Sequence, residues 1–231
     1  MKTIGLLGGM SWESTELYYR SINENVKKKL GKLHSAKIAM VSVDFQEIEI
    51  LQHQNEWQKA GQLLAKAAQQ VEAAGADFLL ICTNTMHKVA PQIEQAITIP
   101  LLHLADTTAM RIKQAGFKKV GLLGTNFTME QDFYKGRLSQ KHSLEVIVPP
   151  PAARQLVHHV IYDELCLGNV SASSRDEFLR IIDDLKMQGA EAVIEGCTEI
   201  VMLVKQEHTA VPLFDTTTIH AEEAVNFALA D

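Results

Sequence analysis

The chain has 231 residues, 46% hydrophobic and 22% charged, with a formal net charge of −6. That length suits one large domain or two small ones with a sizeable core, and the acidic balance argues against a nucleic-acid-binding surface. No stretch approaches a membrane span, and the N-terminus lacks the long apolar region and cleavage site of a signal peptide. Three widely separated cysteines, Cys82, Cys166 and Cys197, speak against a disulfide framework, and Cys-x-x-Cys metal spacing is absent. The expected setting is the cytoplasm, with free thiols, no membrane contact and no metal.

Taken in order, Thr3 to Leu7 reads as a short buried strand followed by the tight loop Gly8-Gly9-Met10-Ser11. A helix over about 12–30 follows, stopped by Gly31. Lys37 to Val43 is a second strand, 44–52 is a loop or short helix, and 56–73 is a helix. Strand Phe78–Cys82 leads into Thr83-Asn84-Thr85, then a helix over 89–96, a short strand Leu101–Leu104 and a helix over 107–115.

At Lys118 the pattern begins again, with Gly121-Leu122-Leu123-Gly124 matching Gly5-Leu6-Leu7-Gly8. A helix over 128–138, strand Leu144–Val148, helices over 153–167 and 173–188, and strand Ala192–Ile194 lead to Gly196-Cys197-Thr198-Glu199. A short helix, strand Val211–Phe214 and a helix over 218–229 close the chain. Alternating strands and helices imply parallel sheets with helices on both faces.

Each half carries a Gly-Leu-Leu-Gly strand end, a later polar loop at 83–85 or 197–199, and a closing proline with a short apolar strand. Three matches in one order indicate an internal duplication. The expected architecture is therefore α/β, with two similar pseudo-symmetric lobes over 1–116 and 117–231, each a parallel sheet flanked by helices. The closing helix of a lobe is free to pack on the other. The two polar loops would face each other across a cleft.

The Gly8-Gly9 loop lacks the Gly-x-Gly-x-x-Gly fingerprint, so no nucleotide cofactor is expected, and its N–H groups suit a carboxylate better. Cys82, ending an apolar strand, and Cys166, in Leu165-Cys166-Leu167, read as core. Cys197 differs, because Gly196 precedes it and polar residues follow. It is a candidate nucleophile or base if a helix N-terminus supplies a positive field. His87 is either a proton relay near Thr83 or an exposed histidine ahead of a helix. Asp106-Thr107-Thr108 and Asp215-Thr216-Thr217-Thr218 read as helix caps.

Gly-Leu-Leu-Gly-Gly-Met-Ser at 5–11, Thr-Asn-Thr-Met-His at 83–87, Gly-Thr-x-x-Thr at 124–128 and Gly-Cys-Thr-Glu-Ile at 196–200 together resemble the aspartate/glutamate racemase family. The likeness covers essentially the whole chain and is strongest to its bacterial L-aspartate/glutamate-specific branch. It implies a homodimeric isomerase that needs no cofactor and acts on a small amino-acid substrate in a cleft between two α/β lobes. In the family, one cysteine per lobe works on each face of the substrate Cα. This chain departs from that pattern, with Thr83 where the first cysteine is usual and Cys82 one residue out of register.

The resemblance thus implies Cys197 and Thr83 as the catalytic pair, with Cys197 acting on the L-enantiomer and reaction from the D side slow. Met10, Gln52, Asn84, Thr85, Thr198 and Glu199 are the implied substrate contacts. A basic residue usual after the second strand is missing from 44–52, which leaves glutamate, or a broader set including homoserine, open beside aspartate. A one-cysteine decarboxylase or isomerase of the same superfamily and a non-catalytic amino-acid-binding relative are the alternative readings.

Overall fold

A computed structural model describes residues 1–230. The elements run β1 (Ile4–Gly8), α1 (Trp12–Leu30), β2 (Ile38–Ser42), α2 (Phe45–His53), α3 (Trp57–Ala73), β3 (Phe78–Ile81), a 3-10 turn (Thr85–Val89) and α4 (Ala90–Ala96). They continue with α5 (Leu104–Gln114), β4 (Lys119–Leu123), α6 (Asn126–Glu130), α7 (Asp132–His142), β5 (Glu145–Ile147), α8 (Pro151–His159), α9 (Ala172–Met187), β6 (Ala192–Glu195), α10 (Ile200–Leu203), β7 (Leu213–Asp215) and α11 (Thr216–Leu229).

All strand pairs are parallel, in two sheets ordered β2-β1-β3 and β5-β4-β6-β7. The first sheet extends beyond β3 by one parallel bridge between Leu79 and Leu101, where the second has the full strand β7. The duplication read from the sequence is therefore a repeated strand order, in which β1, β2, β3 and Leu101 correspond to β4, β5, β6 and β7. Even the edge hydrogen bonds repeat: Leu79 N–H donates to the Pro100 carbonyl and Val193 N–H to the Pro212 carbonyl, each at 2.9 Å.

The chain divides into two compact units, one of Met1–Leu104 with the segment from His220 onward, the other of Ala105–Ile219. This differs from a division after residue 116. Helix α5 falls almost wholly in the second unit, and most of α11 in the first.

The central strands β1, β3 and β6 are buried at every position, as parallel strands covered on both faces must be. In the first unit, period-2 alternation sorts the side chains into two layers. Leu7, Leu79 and Ile81 pack with Leu64, Ala68 and Val71 of α3 and Ile93 of α4. Ile4, Leu6, Phe78, Leu80 and Cys82 pack with Tyr18, Ile22 and Val26 of α1 and with Ala221, Ala224, Val225 and Ala228 of α11. That alanine-rich stripe at helical spacing is why α11 closes on this sheet.

Each unit also brings a helix hard against its central strand. A Cβ on Gly5 would meet Val71 Cγ1 at 2.7 Å, and one on Gly121 would meet Leu185 Cδ1 at 2.8 Å. In the second unit Phe178, Ile181, Ile182 and Leu185 of α9 are buried, and burial of such side chains contributes about 2 kcal/mol each.

Several expected elements resolve differently. The 44–52 segment is the helix α2, capped by Asp44, whose carboxylate accepts from Gln46 N–H at 3.0 Å. Leu101–Leu104 is a single bridge and not a strand, because α5 already begins at Leu104. The helix expected over 128–138 is two, broken where Gln131 is extended. The one expected over 153–167 is α8 followed by a π turn (Val160–Glu164) and a 3-10 turn (Leu165–Leu167), and there Cys166 is exposed, not core. Among the described residues no helix is long and apolar enough to cross a membrane.

Candidate active site

Both polar loops start where a buried strand stops, and the repeat puts them in register. The Cys82 N–H donates to the Leu7 carbonyl at 2.9 Å, and the Gly196 N–H to the Leu123 carbonyl at 2.7 Å. Leu7 pairs with Ile81 and Leu123 with Glu195. Cys82 therefore corresponds to Gly196, and Thr83 corresponds to Cys197. Both stand at the carboxyl ends of parallel strands, where open α/β sheets bind ligands.

Cys82 is turned into the α1/α11 layer and fully buried, and burial pushes its thiol far above its ordinary value. Thr83, one residue on, is half-buried. Its loop is held through its carbonyls. Ser14 Oγ donates to the Cys82 carbonyl at 2.8 Å, His87 Nδ1 lies 2.8 Å from the Thr83 carbonyl, and the His87 amide donates to the Asn84 carbonyl at 3.1 Å. Asn84 and Thr85 are buried at the start of the 3-10 turn. His87 is 2% exposed, so it is no solvent-facing histidine.

Met10, in the loop after β1, is buried in the same cluster as Met86. Gln52 on α2 is buried too, with Nε2 2.9 Å from Met86 Sδ. The first unit thus gathers Met10, Gln52, Asn84 and Thr85 around the ends of β1 and β3. Among the second unit's candidates, one carboxylate oxygen does the gathering. Cys197 Sγ–H donates to Glu199 Oε2 at 2.8 Å and Thr198 Oγ1–H to the same oxygen at 2.7 Å.

The positive field expected at Cys197 is not what the loop supplies. Helix α10 is a single turn, so its dipole is small. Burial, and then the neighbouring Glu199 carboxylate, hold the Cys197 thiol well above its ordinary value. The pair reads as a protonated thiol hydrogen-bonded to a carboxylate.

Beneath this loop lies a group the sequence reading passed over. Glu195 ends β6, is 4% exposed, and has no hydrogen-bond partner on Oε1 among the described residues. Burial and the Asp215 carboxylate, its register partner on β7, raise it to about 8. A glutamate ending the run Ala-Val-Ile-Glu was visible in sequence, but its burial was not. Asp215 caps α11, accepting from Thr217 N–H at 2.9 Å. Asp106 is not simply a cap: its carboxylate takes Arg137 through two bonds of 2.8 and 2.7 Å, and Lys141 and His142 at 2.7 Å each. Burial opposes its charge, but those three donors hold it well below the usual carboxylate range.

Among the described residues no three His, Cys, Asp or Glu side chains converge as a metal site. The Asp/Glu/hydantoin racemase family model matches residues 7–224. A Yersinia pestis structure named for the Asp/Glu racemases is 56% identical, covers all of both chains and superposes with a TM-score of 0.95. An aspartate racemase homologue from Pyrococcus horikoshii OT3 is 33% identical over all of both chains, with a TM-score of 0.88. The broad-specificity amino-acid racemase RacX of Bacillus subtilis is 23% identical over 98% of each chain. With the duplicated parallel sheets and the match along nearly its whole length, the chain belongs to the Asp/Glu/hydantoin racemase family and is a racemase.

Proposed function

We propose that the chain is a cofactor-independent racemase of L-aspartate and L-glutamate in which Cys197 removes the α-proton and Thr83 returns one to the opposite face. The observation that carries this reading is the register: Thr83 occupies in the first repeat the position that Cys197 occupies in the second. Inversion needs a base and an acid on opposite faces of Cα, since a single base returns the proton to the face it came from. A thiolate is a capable base, and a hydroxyl is a proton donor but a poor base at neutral pH.

Glu199, expected to touch substrate, is assigned the thiol's proton because its carboxylate already accepts that hydrogen bond at 2.8 Å. The thiol passes its proton to Glu199, the thiolate takes the α-proton, and the Thr83 hydroxyl protonates the planar carbanion. Glu199 then releases its proton to water and Thr83 regains one from water, which returns both groups to their starting state. Met10, Gln52, Asn84, Thr85 and Thr198 are assigned to substrate contact. Asn84 and Thr85 offer N–H and O–H donors, and Thr198 its backbone N–H, that a carboxylate needs as carbanion charge spreads onto it.

A broader substrate range has its own support, since 44–53 offers no Arg or Lys for a side-chain carboxylate and Gln52 is its buried polar residue. The RacX relative carries a broad-specificity name. The resemblance further implies a homodimer at work in the cytoplasm, and light scattering of the purified chain measures that assembly.

The deciding experiment is proton NMR of L-aspartate, L-glutamate and L-homoserine with the protein in D2O, beside Cys197→Ala, followed by chiral analysis. The expected result is loss of the α-proton signal and appearance of the deuterated D-enantiomer, both abolished in the variant. Exchange that survives Cys197→Ala, or no exchange with any of the three, overturns the assignment. The relative rates among the three decide the breadth of specificity.

A further inference from the structure

We infer that His87 is a positioning residue for the racemisation, fixing the Thr83 hydroxyl through a hydrogen bond from its ring Nδ1–H to the Thr83 carbonyl. The inference rests on the proposed role of Thr83. Two contacts decide the ring's tautomer. The Leu104 backbone N–H, a donor only, points at Nε2 from 3.3 Å, and the Thr83 carbonyl, an acceptor only, lies 2.8 Å from Nδ1. One neutral form satisfies both, with the proton on Nδ1 and the lone pair on Nε2. An imidazolium would set Nε2–H against an N–H.

His103 packs against His87 with ring centroids 4.5 Å apart and planes tilted by 60°, His220 meets it edge-on at 6.0 Å, and all three rings are buried. His220 is likewise committed to one tautomer, with Nε2–H donating to the Leu102 carbonyl at 2.7 Å and Nδ1 accepting from Tyr18 O–H at 2.8 Å. Burial lowers His220 to about 3. The segment between Leu102 and Leu104 is therefore gripped at its carbonyl by His220 and at its amide by His87. It gives His87 a rigid support from which to hold the Thr83 loop.

The hydroxyl's direction depends on that hold. Thr83 lies past the last ladder residue of β3, so no neighbouring strand fixes its peptide. Ser14 and the two donors of His87, ring and amide, take the three successive carbonyls of Cys82, Thr83 and Asn84. Threonine is restricted about χ1, so a fixed backbone leaves its oxygen few positions. Without the ring donor the Thr83 carbonyl loses its hold between the two that Ser14 and the His87 amide keep, and the hydroxyl loses its aim while the Cys197 side is untouched.

The test compares His87→Gln and His87→Asn, with Thr83→Ala in parallel, measuring kcat and KM for racemisation and α-proton exchange of the L-enantiomer in D2O. Both variants lose the imidazole, so packing losses are shared. Asn keeps a donor at the position of Nδ1, whereas Gln keeps a polar atom at the position of Nε2. His87→Gln is expected to lower kcat about tenfold, the size of one lost buried hydrogen bond. Its KM should stay within about twofold, and the ratio of exchange to inversion should rise because the thiol still exchanges. His87→Asn should recover most of kcat and restore that ratio.

Equal losses in the two variants, or an unchanged exchange-to-inversion ratio in His87→Gln, overturn the inference. Normal racemisation by Thr83→Ala instead overturns the role of Thr83 itself. An impaired Thr83→Ala beside an unimpaired His87→Gln leaves that role standing and removes the positioning.

Discussion

The two strand-end loops of the repeat, 81–85 and 195–199, occupy equivalent places yet are organised in opposite ways. In the first, the thiol has been moved one residue back, to Cys82, where the alternation of β3 drives it into the core. What is left at the equivalent position is a hydroxyl held from behind by backbone carbonyl contacts, with His87 as the principal clamp. In the second, Gly196 takes the core-facing place, where a Cβ would lie 2.9 Å from the Leu123 carbonyl. The thiol then falls one residue later and is held by its own side chain against Glu199. A shift of one residue thus separates a sulfur packed in the core from one hydrogen-bonded to Glu199 in the candidate site, because successive residues leaving a strand point to opposite sides.

The largest expected effect comes from breaking the second loop's arrangement. If Glu199 takes the thiol proton, Glu199→Gln should slow racemisation about 10²-fold at pH 7. The deficit should shrink as pH rises and the thiol ionises unaided. A rate at pH 7 that increases instead would mean Glu199 only suppresses the thiolate, and pH–rate profiles of the two proteins separate these cases.

Restoring the symmetry is the next test. Thr83→Cys places an ionisable thiol on the first loop, and initial rates from the D-enantiomer should rise about tenfold, since a thiol ionises far more readily than a hydroxyl. Rates from L should change much less. Initial rates from each enantiomer by polarimetry measure both, and equal L and D rates in the parent protein would remove the basis of the comparison.

The buried carboxyl under the second loop has a pH signature. An unfolded glutamate ionises near 4.5, whereas Glu195 in the fold is raised to about 8. Between these values the native state binds the proton that the unfolded state has lost, so stability contributed at this site falls as pH rises from about 4.5 to 8 and is level above it. Glu195→Gln should therefore match the parent near pH 4 and exceed it by up to about 5 kcal/mol at pH 8 and above. Denaturant midpoints across that range provide the check, and a gain that is independent of pH would mean packing and not charge.

The smallest effect belongs to the sulfur in the core. Cys82→Ala should cost on the order of 1 kcal/mol from the lost packing, with kcat nearly unchanged. A large fall in kcat with little loss of thermal stability would make Cys82, not Thr83, the first loop's reactive group.

Much of this was legible in the chain itself. The apolar runs at 4–7, 78–81 and 192–194, the glycine stops and the duplicated Gly-Leu-Leu-Gly segments carry the parallel α/β architecture, because period and punctuation are local properties. The expected burial of Cys82 followed from the same alternation. What misled were local patterns broken by tertiary packing. Cys166 lies in an apolar triplet but sits on a 3-10 turn that exposes it. Asp106 looks like a cap until Arg137, Lys141 and His142 converge on it.

The residue types at 83 and 197, and their equal places in the repeat, were determined by the sequence alone, since both depend only on spacing along the chain. The state of Cys197, the raised carboxyl of Glu195 and the clamp on Thr83 were decided by the fold. Each depends on a partner the chain brings back: Glu199 by a tight turn, Asp215 from the neighbouring strand, and the support behind His87 from a last helix that rejoins the first unit. Charge and hydrogen bonding act over a few ångströms, so these properties exist only once distant residues stand that close.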